Sequence, residues 1–158
     1  MTLTEVALAL GLAVSPQQAY IDEAARTMGV SSTMLTAIVR HEGGKTCLVK
    51  KNSDGSYDVG RAQINTIHSE ELKRKYNIRM IDVACDDRLN ALVAAWHLSN
   101  KTKEVNGDIV KGAGRYHSKT PKYAQPYLSK IMPLYQKEKQ KLESLKRNLV
   151  AKRSLAKR

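Results

Sequence analysis

The chain has 158 residues, the size of one domain, with 42% hydrophobic residues but only 5% aromatic ones and no phenylalanine. Its core must therefore rest on Leu, Ile, Val, Ala and Met, a composition that favours helices. The formal charge is +12, of which residues 137–158 (nine Lys/Arg against two Glu) carry +7, so the chain should attract a polyanion without specifying which, and no apolar stretch is long enough to span a bilayer.

Residues 6–14 (VALALGLAV) form an apolar run followed by Ser15-Pro16-Gln17-Gln18-Ala19, which has the form of a secretory h-region and cleavage zone. No Lys or Arg precedes it and Glu5 is acidic, so an amphipathic first helix is the other reading. We take 1–19 as this N-terminal segment, 20–135 as the body and 136–158 as a basic tail. Gln18 to Met28 predicts a helix, with Ile21, Ala24, Ala25 and Met28 on one face and Gly29 as its stop. Ser31 or Ser32 caps a second helix in which Leu35, Ile38 and Glu42 share a face, ended by Gly43-Gly44.

The turn cluster Asn52-Ser-Asp-Gly-Ser56 lies between CLVKK and YDVGRAQIN and predicts a small β-hairpin within 47–65. Helical patterning returns over Ser69–Lys75, Asp86–Ser99 and Gly107 to about Tyr116. It is broken at Ser118-Lys-Thr-Pro121, and a last helix begins near Lys122. From Gln136 onward Leu142, Leu145 and Leu149 mark an amphipathic basic helix, read as a solvated extension.

Of fifteen carboxylates, only Glu42 occupies the apolar face of a core helix, in its last turn. Partial burial and the negative end of the helix dipole both disfavour its ionised form, which moves it toward the range of a general acid. The glycines behind it would leave the carboxyl open to a cleft. In extended backbone Gln63 and Asn65 point to one face, where their amides suit a sugar hydroxyl or N-acetyl group; satisfying loop backbone is their alternative role. His41 lies about 100° round the helix from Glu42 and should point elsewhere. His97 and Trp96 read as packing, and His117 follows Tyr116 in a loop. Cys47 and Cys85 lack metal spacing, so they are either reduced thiols or one disulfide closing a loop of about 39 residues, worth roughly 3–5 kcal/mol. No metal, nucleotide or cofactor motif is present, and charge alone does not make a nucleic-acid module without a binding motif or aromatic platform.

Four segments in order, AIVRHEGG (37–44), DVGRAQIN (58–65), NALVAAWHL (90–98) and GRYHSKTP (114–121), resemble the lytic transglycosylases with a soluble-transglycosylase, lysozyme-like domain. The likeness is closer to the small members attached to type IV secretion, conjugation and pilus systems, and covers roughly residues 18–135. It implies a mainly α, lysozyme-like (α+β) fold with a small β-hairpin beside the cleft. By position, Glu42 matches the catalytic acid/base, Gln63 and Asn65 the cleft amides, and Tyr116 the tyrosine that reaches toward that acid; His117 is a candidate substrate contact only because it follows Tyr116 in the same loop. Cys47 and Cys85 stand where small members often carry a bridge, which agrees with a periplasmic setting. The expected partners are peptidoglycan glycan strands and secretion or conjugation proteins, the expected state is a monomer, and no metal or cofactor is implied. Gly43 replaces the family's serine and Arg61-Ala62 its Leu-Met pair, which should make the cleft wall more polar. With a single carboxylate the reaction would form 1,6-anhydro-muramic ends; if Asp58, read here as structural, served as a second, hydrolysis would follow. A non-catalytic wall-binding accessory is the alternative of another class.

Overall fold

The computed structural model describes residues 1–157. In chain order its elements are α1 (Leu3–Ala9), α2 (Pro16–Met28), α3 (Ser32–Glu42), β1 (Val49–Lys51), β2 (Tyr57–Val59), β3 (Ile64–Asn65), a single 3-10 turn (Thr66–His68), α4 (Ser69–Tyr76), α5 (Met80–Cys85), α6 (Asp87–Lys103), α7 (Ile109–His117) and α8 (Pro121–Leu155). The fold is mainly helical, with one small antiparallel sheet in the order β1-β2-β3. The expected hairpin is thus its first two strands, Val49 pairing with Val59 and Lys51 with Tyr57, and β3 adds a third through Asp58–Asn65.

α3 is the core helix. Every residue from Thr33 to Val39 is buried, and Met34, Leu35, Ala37 and Ile38 are fully enclosed. A helix apolar all round must be surrounded, and α3 is packed by α2 and α6 and, most extensively, by α8. The Ser31 side chain accepts from Met34 N to start it, and Gly43, at φ 61° in the left-handed region that glycine takes without strain, ends it. Glu42 is therefore held at a fixed helix end.

Two elements depart from the sequence expectation. α5 carries Cys85 to Cys47, whose Cα atoms lie 4.1 Å apart in a disulfide; Cys47 N also donates to Ala84 O at 2.7 Å. The last helix is one continuous element through residue 136, with Pro126 and Pro133 inside it. Its far half is not solvated throughout: Leu149 is buried, α1 packs along α8, and Lys152 Nζ donates to Ala9 O at 3.3 Å. From the N-terminal segment, Leu3, Val6 and Ala7 are buried in turn.

Candidate active site

Glu42, Asp58, Gln63, Asn65, Tyr116 and His117 all line one cleft of about 640 Å³. The end of α3 supplies Glu42, the sheet supplies Asp58 and Asn65, and the C-terminal turn of α7 supplies Tyr116 and His117. Lys50, Lys101, Arg115 and Lys119 are also in its wall, and three of them, Lys101, Arg115 and Lys119, each pair with Glu104.

Burial raises the pKa of Glu42 above that of an ordinary glutamate, and Asp58 adds to the rise. Two groups oppose it, a hydrogen bond from Tyr127 and the charge of Lys50. The Tyr127 hydroxyl donates to Glu42 Oε1 at 2.7 Å and is the side chain that grips this carboxyl. Tyr127 is itself held between two histidines, stacked on His117 with ring centroids 4.6 Å apart and edge-on to His41 at 5.2 Å. His41 is not among the residues that line the cleft, but it packs on the tyrosine that reaches Glu42.

Tyr116, placed by family position as the tyrosine directed at the acid, has its ring in the cleft wall while its hydroxyl donates to Ala62 O at a long 3.4 Å. The hydroxyl bonded to Glu42 is that of Tyr127, on a different helix, while Tyr116 lies near enough for burial and the charge of Glu42 to raise its own pKa. His97 is buried against Tyr116, with its pKa lowered by burial to about 4, so it stays neutral. Because the Tyr116 carbonyl only accepts, the 3.0 Å contact requires the proton on His97 Nε2.

The two cleft amides are partly spoken for. Gln63 is not in extended backbone but at φ 51°, with Nε2 donating to Gly60 O at 2.8 Å. Asn65 donates to Asp58 Oδ1 at 2.9 Å and to Ser56 Oγ at 3.0 Å, and accepts from Ile67 N at 2.9 Å. Asp58 thus accepts from the Asn65 side chain on the neighbouring strand while lying in the same cleft as Glu42. Asn90 anchors the same segment from α6: its Oδ1 accepts from Ala62 N at 2.8 Å, and its Nδ2 donates to Val83 O and Val59 O.

Gly44 is required for a reason other than openness. A Cβ there would sit 2.1 Å from Gly60 O and 2.8 Å from Arg61 O, so the α3 terminus and the loop at 60–61 can meet only through glycine. Arg61 does not polarise the cleft wall. Its Nε donates to Asp87 Oδ2 at 2.7 Å and its side chain lines a separate cavity behind Gly43-Gly44, while Ala62 is fully buried in the core.

Sequence reasoning missed Tyr127, His68 and Asn90. Asn90 stands inside the quoted NALVAAWHL segment, where an amide among apolar residues signals a buried hydrogen-bonding post. His68 follows the Asn65 turn and packs at 4.5 Å on His97. The signal for Tyr127 is its one-turn spacing from Ile131 on the buried face of α8.

The family model described as the transglycosylase SLT domain matches residues 19–125. Invasion protein IagB of Salmonella typhi is 32% identical over 123 residues, spanning 75% of this chain and 76% of that protein. Invasion protein IagB of Salmonella typhimurium strain LT2 is 32% identical over 122 residues, 74% of this chain and 75% of its own.

Proposed function

Because this chain belongs to the family of the transglycosylase SLT domain, whose members act on peptidoglycan, we propose that it cleaves the MurNAc-β-1,4-GlcNAc bond with Glu42 as acid and then base. The observation that carries this reading is the Glu42 carboxyl itself, desolvated at a helix end, oriented by Tyr127 and opening on the cleft. Glu42 protonates the glycosidic oxygen, the C–O bond breaks, and an oxocarbenium-like centre develops at C1 of the muramic sugar. The C6 hydroxyl of the same sugar then attacks C1 as Glu42 recovers the proton, closing a 1,6-anhydro ring without water. Gln63, Asn65, Tyr116 and His117 line the glycan's path.

Substrate of this kind lies outside the cytoplasm, and we assign the protein to the periplasm, a setting in which the Cys47–Cys85 bridge persists. Residues 20–135 form the catalytic unit, and 136–158 give it a basic surface toward the anionic wall. The Salmonella relatives are named for invasion; for this chain we propose local opening of the wall for a secretion or conjugation apparatus.

The test compares wild type with Glu42→Gln on purified peptidoglycan, with mass spectrometry of the soluble fragments. Anhydro-muropeptides from wild type alone, lighter than hydrolytic products by one water, are expected. Reducing ends would make the protein a hydrolase and return Asp58 to the mechanism, whereas sedimentation with the wall and no release would make it a binding accessory.

A further inference from the structure

The proposed reaction uses neither end of the chain, and the two ends meet. Lys152 Nζ of α8 donates to Ala9 O, in the last residue of α1, and no residue of α1 or of α8 lines the cleft. Leu149 is buried where α8 packs on α1, which leaves the side chains around that contact on the surface. Four of them are large and apolar: Leu8, Leu12, Val150 and Leu155 are between 47% and 71% exposed. Leu8 and Leu12 flank Ala9, and Val150 and Leu155 lie within one turn of Lys152, so all four belong to one end of the molecule.

The charge at this end has one sign. Residues 6–14 carry none. Glu143 pairs with Lys146 and no carboxylate follows it in the chain, whereas Arg147, Lys152, Arg153 and Lys157 are all exposed. The acidic groups of α1 and α2 do not offset these cations. Glu5 pairs with Arg26 and Glu23 with Arg88, while Asp22 is buried and accepts from Thr4 N and the Gln18 side chain.

Exposed leucines beside a cluster of cations place two demands on one partner. An anionic glycan or a nucleic acid takes up the charge and leaves the apolar side chains in water. Anionic lipid headgroups take up the same charge, and the acyl boundary beneath them takes up leucine and valine. The long Lys and Arg side chains reach a headgroup plane while their stems lie on apolar surface.

We infer that the joined ends of α1 and α8 form a docking surface for an anionic lipid bilayer. Arg147, Arg153 and Lys157 meet the headgroups, and Leu8, Leu12, Val150 and Leu155 enter the boundary below them. No helix among the described residues is long and apolar enough to cross a membrane, so this contact is with its surface. It does not rest on the chemistry at Glu42, which lies in another part of the molecule.

The experiment floats the full chain with vesicles of an equal mixture of phosphatidylglycerol and phosphatidylcholine, and with vesicles of phosphatidylcholine alone. Binding to the mixed vesicles is expected, and binding at least about tenfold weaker to the neutral ones. Arg147→Gln with Arg153→Gln should weaken it by about fivefold for each cation lost. Leu12→Gln with Leu155→Gln, which keeps every charge, should weaken it at least about tenfold. All four side chains are exposed, so an unchanged Tm for each pair separates lost docking from lost folding. Equal binding to the neutral vesicles, or leucine variants that bind as wild type does, would overturn the inference. So would a chain that sediments with purified wall and ignores the vesicles, which would give the charge to the wall. A protein that makes no anhydro product yet passes these tests refutes the reaction and keeps the surface.

Discussion

Tyr127 reaches Glu42 across 85 residues of chain, and its hydroxyl acts on the acid in two opposing ways. It fixes the carboxyl in place, and by donating to the ionised form it draws down a pKa that burial has raised. In the proposed reaction the acid must be protonated, so the rate falls as pH rises through the Glu42 pKa. Tyr127→Phe removes the bond that favours ionisation, and the pKa rises further. The alkaline limb of the kcat profile should move to higher pH, while kcat at the optimum drops about tenfold as an orienting bond worth roughly 1.5 kcal/mol is lost. Rates of muropeptide release across pH decide it; an unmoved limb would mean that Tyr127 does not bear on the acid. Glu42 is legible in the sequence because a carboxylate in the last turn of an apolar helix contradicts its surroundings, although Asp22 and Glu138, which the sequence reading did not single out, lie deeper on helical faces of their own. Tyr127 is not, because an apolar period on α8 marks Tyr127 as core without saying that its hydroxyl meets an acid on α3.

α8 delivers Tyr127, and one ion pair holds α8 to α3. Arg40 Nη1 donates to Glu138 Oε1, and Glu138 is only 2% exposed, with its Oε2 buried and unpartnered. Removing the arginine leaves a buried carboxylate with no counter-charge, which costs about 3 kcal/mol. In a domain of this size Arg40→Met should therefore lower Tm by on the order of 10 °C in thermal unfolding. Adding Glu138→Leu should restore most of the loss, since no buried charge then remains; a double variant as unstable as the single one would show that packing, not charge, sets the cost. The helices with clear caps and stops, α2 and α3, are readable because Ser15, Ser31, Gly29 and Gly43 punctuate them. α5 escapes because its six residues have no side-chain cap, and only tertiary contact and the disulfide hold it. The unity of α8 escapes because Pro126 and Pro133 are ordinarily helix breakers, and packing against α3 and α7 overrides them.

At the scale of the molecule the two ends of the chain depend on each other. Leu3, Val6 and Ala7 of α1 are buried, Leu149 is buried on the far half of α8, and the two helices pack together. Composition places an apolar segment at one end and an amphipathic basic one at the other, but nothing in either sequence declares that each covers the other. The N-terminal residues also reach the core through polar contacts: Thr4 N donates to Asp22 Oδ2 at 2.7 Å, and Gln18 Nε2 bridges Asp22 and Thr36. A chain beginning at Tyr20 would lose these bonds, the Ser15 cap of α2 and the burial of Leu3 and Val6, each apolar side chain being worth about 1.5–3 kcal/mol. Its Tm should fall by on the order of 10 °C relative to the full chain. Hydrogen exchange should show the lost protection concentrated in α2 and around Leu149, not in the sheet. An unchanged Tm would instead make residues 1–19 dispensable to the fold, as a removable leader must be. Loss of the α1 contact would also free the basic half of α8, so binding of the shortened chain to wall fragments, measured beside its Tm, separates what this helix contributes to stability from what its charge contributes to the wall.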